Sequence, residues 1–408
     1  MIIFGRPKTY QFLTQNNHSF VKQIKSIFSL LLAISSICLP FKATADDEPK
    51  LSIMPTARIL IDGALYASPQ KSLFPDGMAI PEARIGAKMR YGAWSAMIDA
   101  SYSYAKVGMR NMWIQYDFNP QNAIRIGNFI HQYGYQNQSQ SLKETFEQPI
   151  AATLYTPGIQ LGAMYTHWSP SFMAAASFHV ESSALQQVMN APLFNQQGFS
   201  LLTRLVWRTP QKGQFFWHAG ISGGYSSPQR RVVDNDDIHD GFTISANFPT
   251  KVVQLQEVGM SVGKSRNLFK FTPELVAAYG RMAFIGQYFF QQINRRDGLR
   301  SYVTQSGYAT LRGMLIGKGY TYDPAAASIT TPAPKTLECV LNYNYCDLAD
   351  GKAGLFGGRA NTFSVTFNYQ FNKYITGRLN YFYTHRWELA GADPMTLNGF
   401  QARLMVLF

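Results

Sequence analysis

The sequence predicts an all-β fold: a transmembrane antiparallel β-barrel of 16 strands, or 18 on a fuller count. Three observations carry this: the C-terminal strand, the composition, and period-two alternation that recurs between turns. At the end of the chain Phe408, Val406, Leu404, Ala402 and Phe400 alternate with Leu407, Met405, Arg403, Gln401 and Gly399. One side of that strand is apolar throughout and the other carries Arg403 and Gln401. A period of two with an aromatic terminus is the pattern of the last strand of an outer-membrane barrel. In hydrocarbon, only helices and closed barrels satisfy their own backbone groups. Charged residues make up 15% of the chain, against about 25% in soluble domains. Aromatics reach 14%, and 32 glycines supply tight turns. No stretch after residue 45 approaches the roughly 18 apolar residues of a spanning helix.

The N-terminus predicts export. Arg6, Lys8, Lys22 and Lys25 precede the apolar run from Ile27 to Leu39, and no acid interrupts them. Lys42 and then Ala43-Thr44-Ala45 follow, an A-x-A cleavage pattern. Residues 1–45 therefore read as a signal peptide, with Asp46 the first mature residue and 46–408 the barrel. The chain has 37 Lys and Arg, five of them before residue 46, against 24 Asp and Glu that all follow it, which leaves the mature part at +8. Cys339 and Cys346 remain after processing. Along one extended strand they would stand about 23 Å apart, so a disulfide would require the chain to fold back after Tyr343.

The strands follow in order. Residues 53–66 set Ile59, Ile61 and Leu65 against Arg58, Asp62 and Tyr66. Residues 80–91 set Ala83, Ile85, Ala87, Met89 and Tyr91 against Glu82, Arg84, Lys88 and Arg90. After the turn Gly92-Ala93, Trp94, Ala96, Ile98, Ala100 and Tyr102 oppose Asp99 and Ser101. The charged face must point to the lumen, because a charge facing lipid costs about 2–4 kcal/mol near the midplane. Asn119-Pro120-Gln121-Asn122 is the next turn, and Ile124, Ile126 and Ile130 then oppose Arg125 and His131. Ser169-Pro170-Ser171 joins 158–167 to 172–180, and Thr209-Pro210-Gln211-Lys212-Gly213 joins 199–208 to 214–225. Strands at 336–346, 361–371, 374–386 and 398–408 complete the chain.

Longer segments at 131–157, 182–198, 226–240, 347–360 and 387–397 alternate with the short turns. That asymmetry predicts short periplasmic and long extracellular connections. The segments 241–248 and 252–264 are two further strands, or a hairpin inside one long loop; the first reading gives 18 strands and the second 16. Either leaves room for an aqueous channel. Residues 318–335, with Pro324, Pro332 and Pro334, form a loop that this topology puts on the periplasmic side.

Several stretches together resemble the phosphate-selective porin O and P family. They are Ala83-Arg84-Ile85-Gly86, Asn111-Met112-Trp113-Ile114-Gln115-Tyr116, Ile124-Arg125-Ile126-Gly127-Asn128-Phe129 and Thr145-Phe146-Glu147-Gln148-Pro149. Tyr155 to Gly162, Leu337-Glu338-Cys339-Val340, Gly357-Gly358, Phe367-Asn368-Tyr369 and Leu379-Asn380-Tyr381 follow in the same order. The resemblance covers about residues 80–165 and 335–408. It implies a 16-stranded, homotrimeric channel in the outer membrane of a Gram-negative bacterium, bounded by lipid and lipopolysaccharide. It further implies a lumen lined by Arg and Lys, an inward-folded third loop at 131–157, and uptake of small anions such as phosphate. The chain departs from the family at Pro81-Glu82, where further arginine is common. That lowers positive charge on the lumen face and predicts weaker phosphate affinity than a dedicated phosphate porin has.

The candidate pore-lining, anion-binding residues are the cations of lumen parity: Arg58, Arg84, Lys88, Arg90, Arg125, Arg204, Arg208, Arg378 and Arg403. Fixed positive charge in a narrow pore attracts anions. The guanidinium fork suits phosphate oxygens. The alternative for each arginine is a pairing with Asp62, Glu82, Asp99 or Glu338 that braces the wall. As a set, cations outnumber acids on that face.

Rival classes fit less well. His131, His167, His179, His218, His239 and His385 show no catalytic or metal-ligand spacing. His179 with Glu181 reads as a structural pair, and His239 as a solvated loop residue. The acidic run Asp234-Asn235-Asp236-Asp237 is a weak divalent-cation candidate. No catalytic residue, metal or cofactor is expected. The basic residues are dispersed along strands, which argues against nucleic acid. A closed adhesin barrel remains as a third class, and it would need a plugged lumen.

Overall fold

The computed structural model describes residues 49–68, 72–103, 106–136, 144–180, 197–209, 213–233, 236–239 and 241–408. The expected signal peptide, Glu181 and the start of the acidic run at Asp234 lie outside them. The barrel begins with β1 (Ser52–Ala67), β2 (Gly77–Tyr91), β3 (Trp94–Ser103), β4 (Lys106–Asn119) and β5 (Asn122–Ile130). A short helix α1 (Ile150–Tyr155) precedes β6 (Ile159–Trp168), β7 (Phe172–Val180), β8 (Phe199–Arg208) and β9 (Phe215–Ser227). Two small hairpins follow, β10 (Arg230–Val233) with β11 (Asp236–His239), and β12 (Phe242–Asn247) with β13 (Gln256–Val262). The wall resumes with β14 (Ser265–Tyr279), β15 (Met282–Arg295) and β16 (Tyr302–Ile316). The two-residue strands β17 (Tyr322–Asp323) and β18 (Ser328–Ile329) pair within the next connection. Then come β19 (Thr336–Asp350), β20 (Leu355–Gln370), β21 (Ile375–Leu389) and β22 (Met395–Leu407).

Sixteen of these strands close a single antiparallel barrel in the order β1 to β9, β14 to β16, β19 to β22, with β22 returning to β1. Residues 241–248 and 252–264 therefore belong to a hairpin within one long loop. The 18-strand alternative fails because β12 and β13 pair with each other and not with the wall. The segment expected as a loop at 347–360 is mostly strand, since β19 and β20 extend on either side of a turn at 351–354. Cys339 and Cys346 both lie in β19 and both thiols are free.

Alternation sorts the two faces as the membrane requires. Leu65, Ile85, Leu379 and Phe400 are exposed outward. The inward set of the same strands includes Asp62, Arg378 and Gln401, all buried. The seam closes where Asp62 stands opposite Arg403 in register. Arg403 Nε and Nη2 donate to the two Asp62 carboxylate oxygens at 2.7 and 2.6 Å. At the foot of the seam Phe408 N donates to Ala57 O at 2.8 Å and Ala57 N donates back to Phe408 O at 3.3 Å.

The connection between β16 and β19 leaves the barrel at the same end as Phe408, which is the end of the short turns. It then folds back into the lumen, where Ala327 and Ile329 are fully buried. Tyr320 N donates to Gly280 O at 3.0 Å in the β14–β15 turn. A Cβ on Gly319 would lie 2.7 Å from that same carbonyl oxygen, and its φ is +125°. Only glycine passes there without strain.

Deleting Phe408 removes the Phe408–Ala57 pair of hydrogen bonds that finishes the β1–β22 seam. The expected outcome is a large loss of heat-modifiable, membrane-inserted protein. Gel mobility with and without boiling measures it, and near-normal assembly would contradict the role given to this residue.

Candidate functional site

The lumen is divided. Segments folded inside the barrel cover the inward face of β7–β9, β14–β16 and β19–β22, and the side chains beneath them are almost all buried. The inward charges of β2–β5 and the start of β1 keep part of their exposure, except Asp99, which is buried. Arg58, Glu82, Arg84, Lys88, Arg90, Arg110, Asp117 and Arg125 all belong to this open wall.

The described parts of the loop 131–157, residues 131–136 and 144–157, fill much of the covered side. Their backbone carbonyls sit away from water and need donors, because an unpaired buried carbonyl costs about as much as a lost hydrogen bond. The wall supplies them. Arg378 Nη1 donates to Thr145 O and Arg403 Nη1 to Phe146 O, both at 2.6 Å. Asn368 Nδ2 donates to Glu144 O at 2.7 Å. Lys270 Nζ donates to Tyr155 O at 2.8 Å, at the end of α1. Glu144 itself meets Arg312, whose guanidinium also binds Glu338 at 2.9 Å. In the same loop, burial opposes ionisation of Glu147. Lys251 and Arg403 together overcome that and hold its carboxyl below the usual carboxylate range.

A second buried cluster holds the connection that enters from the opposite end. Arg204 Nη2 binds Glu274 at 2.6 Å and donates to Ala327 O at 3.2 Å. His218 Nδ1 and the Tyr322 hydroxyl are 2.7 Å apart, with Arg208 lying 5.5 Å from the Tyr322 ring centroid. The two insertions meet where Ile329 N donates to the Tyr135 hydroxyl at 3.4 Å.

These contacts separate the nine sequence candidates into two groups. Arg204, Arg208, Arg378 and Arg403 are buried and tie inserted segments, turns or the seam to the wall. Arg58, Arg84, Lys88, Arg90 and Arg125 line the open side. Within that side Arg58 and Arg84 share Glu82 at 2.6 and 3.2 Å, and Arg84 reaches Asp99 at 3.4 Å. Lys88 is exposed, and Arg90 is 65% exposed with only a long 3.8 Å approach to Asp117.

Arg125 is the most rigidly held of the open-wall cations. Its Nε and Nη2 both donate to Gln115 Oε1, at 2.9 and 2.6 Å, and its guanidinium stacks 4.2 Å over Trp113. No carboxylate lies within ion-pair distance of it among the described residues. Six cations (Arg58, Arg84, Lys88, Arg90, Arg110 and Arg125) thus share the open wall with Glu82, Asp99 and Asp117. Arg84 to Arg90 alone spans roughly 20 Å of strand.

Sequence reasoning missed Arg110, Arg312 and Lys270. Simple parity points Arg110 outward, opposite to Trp113. A bulge between Ile98 and Ala100 sets both Arg110 and Asn111 against Asp99 and turns it in. Arg312 was accessible to parity, since it alternates in phase with Thr304, Ser306, Tyr308 and Thr310. The histidines carry no metal constellation among the described residues. His179 instead lies with its ring centroid 4.6 Å from that of His131.

Comparison with known proteins places this architecture. The family model described as phosphate-selective porin O and P matches residues 67–408. No curated protein matches by sequence. Among solved structures, an anion-selective porin from Comamonas acidovorans is 12% identical with a TM-score of 0.55, covering 88% of this chain and 100% of its own. A loop-deletion mutant of OmpT, an outer membrane protein of Vibrio cholerae, is 10% identical at TM-score 0.52, covering 88% of this chain and 99% of its own. The outer membrane channel DcaP of Acinetobacter baumannii is 10% identical at TM-score 0.51, covering 91% and 100%. At these identities the likeness is one of fold.

Removing Arg312 would leave Glu144 and Glu338 buried without their cation. Breaking a buried pair from one side costs about 3–5 kcal/mol. Arg312→Ala is therefore expected to lower the thermal midpoint of the folded barrel strongly, while Lys88→Ala, at an exposed site, leaves it within experimental scatter. Heat-modifiability curves for the two variants compare them directly.

Proposed function

The chain belongs to the phosphate-selective porin O and P family, and from that premise we propose that it conducts small anions, phosphate included, along the wall formed by β1–β5. The observation that carries this is the charge left over on that wall. Among the described residues Lys88, Arg110 and Arg125 have no carboxylate within ion-pair distance and Arg90 has only the long approach to Asp117, whereas Arg204, Arg312, Arg378 and Arg403 hold inserted segments in position. A fixed positive surface beside a narrow water path raises the local concentration of anions and repels cations. The family and the fold support a channel rather than an enzyme, and no catalytic residue is assigned. A homotrimer set in outer-membrane lipid and lipopolysaccharide is the assembly that the family resemblance supports.

Glu82 tunes the site. It neutralises part of Arg58 and Arg84, the two guanidiniums that could grip phosphate as a pair. This chain is accordingly a general anion channel with modest phosphate affinity.

Reversal potentials in a potassium chloride gradient test the reading. The wild-type channel is expected to be anion-selective. Arg84→Ala with Arg125→Ala is expected to lower the chloride-to-potassium permeability ratio, with each charge worth roughly 1 kcal/mol of ion preference. Glu82→Gln should act in the opposite direction and deepen the block of chloride current by phosphate. A cation-selective wild type, or a double variant with an unchanged reversal potential, would overturn the proposal.

A further inference from the structure

The hairpin β12–β13 lies inside the barrel, against β19, β20 and β21 on one side and α1 on the other. Its inward residues Ile244, Ala246, Val258 and Val262 are buried. The wall is shaped to receive it. A Cβ on Gly357 would come within 3.0 Å of Met260 Cβ, and one on Gly358 within 3.2 Å of Val258 Cγ1. Into this apolar seat the hairpin carries one carboxyl, Glu257, which is fully buried.

The surroundings of Glu257 suit a neutral acid and not a carboxylate. Its Oε1 is hydrogen-bonded to the Thr384 hydroxyl of β21, and its Oε2 has no partner. The Thr384 hydroxyl has a single proton and lies 3.1 Å from the Asn361 carbonyl, which can only accept. It also lies 2.9 Å from the Thr362 hydroxyl, so Thr384 offers Glu257 at most one hydrogen bond, and an ionised Glu257 would hold its second oxygen buried without a donor. The titratable or charged groups that face it are Arg386 of β21 and Cys346 of β19. Arg386 donates through Nη2 to Asp393 O at 2.7 Å while its Nε is buried without a hydrogen-bond partner, and no cation stands within ion-pair distance of Glu257 among the described residues.

We propose that Glu257 is a pH-operated latch, which holds the β12–β13 hairpin against the barrel wall while protonated and releases it into the channel mouth on ionisation. Burial lifts the Glu257 carboxyl to about 8, and Thr384 and Arg386 offset that only in part. The sign follows from linkage. A carboxyl whose docked form holds its proton more tightly contributes full docking strength below the ordinary carboxylate range. That contribution fades as pH rises and is lost through about pH 8. Alkaline medium therefore loosens the hairpin.

Cys346 is a built-in reporter, because it is fully buried on the lumen face of β19 beside this seat. The purified channel is treated with a charged, water-soluble methanethiosulfonate at pH 6, 7, 8 and 9, and the Cys346 peptide is quantified by mass spectrometry. Glu257→Gln, whose amide can donate to Thr384 as the protonated acid does, shares the thiol's own alkaline activation and so removes it from the comparison. Between pH 6 and 9 the wild-type rate is expected to rise at least about tenfold more than the Glu257→Gln rate. Equal pH dependence in the two proteins overturns the latch. If Glu257→Gln does not assemble, the wild-type rate is compared with that of a free cysteine over the same pH range. A rise in excess of the free thiol's supports release, and a parallel course refutes it.

Discussion

Every carbonyl that enters this barrel must meet a donor, and most of the internal structure follows from that requirement. The wall satisfies its own backbone by closing on itself, with Phe408 returned to Ala57. The segments that fold into the lumen cannot pair in a ladder with that wall. Their carbonyls are met instead by side chains projecting from inward positions, chiefly Arg204, Arg378, Arg403, Asn368 and Lys270. Arginine is well suited to this work. One guanidinium can bind a carboxylate with one edge and a carbonyl with another, as Arg403 does with Asp62 and Phe146.

The same requirement explains why the channel's charge is lopsided. Arginines beneath the insertions are consumed by structural contacts, and their partners Glu274, Glu338, Glu144 and Asp62 are buried with them. The open wall anchors no insertion among the described residues. Its cations are held by neighbours on the same sheet, such as Gln115 and Trp113 around Arg125, and retain their field for solutes. A guanidinium kept planar and in place by such contacts loses little freedom when an anion arrives.

Insertions from both ends of the barrel meet inside it. The loop after β5 and the connection after β16 touch at Tyr135 and Ile329, and each is also fixed to the wall by a buried arginine–carboxylate cluster. The hairpin β12–β13 differs from them. Its strands are seated by apolar contacts on Gly357 and Gly358, its turn is held by Lys251 on Glu147, and its fully buried acid, Glu257, has no arginine or lysine in ion-pair reach among the described residues. Of these three insertions it is the one that carries a buried carboxyl without an ion-pair partner among the described residues, so its docking is the one most exposed to proton concentration.

Much of the barrel was legible in the sequence because a membrane strand has to alternate. The strands around Arg84, Arg125 and Arg403, the short turns and the C-terminal seam follow from period two and from the cost of charge in lipid, whereas the inward loop at 131–157 was expected only from the family resemblance. Parity also assigned the nine cations to the lumen side. It could not divide them, since Arg378 and Arg84 look alike on a strand, and only the path of the loops decides which one meets a carbonyl and which one meets water. Arg110 was hidden by a bulge, a one-residue shift that alternation cannot anticipate. The same limit held for 241–264, where two strand-like segments pair with each other and leave the wall. A sequence states which face of a strand is polar, because solvent and lipid act on each residue locally. What covers that face is settled by contacts between segments more than 100 residues apart, such as Arg204 with Ala327 and Thr145 with Arg378, and these exist only once the barrel has closed.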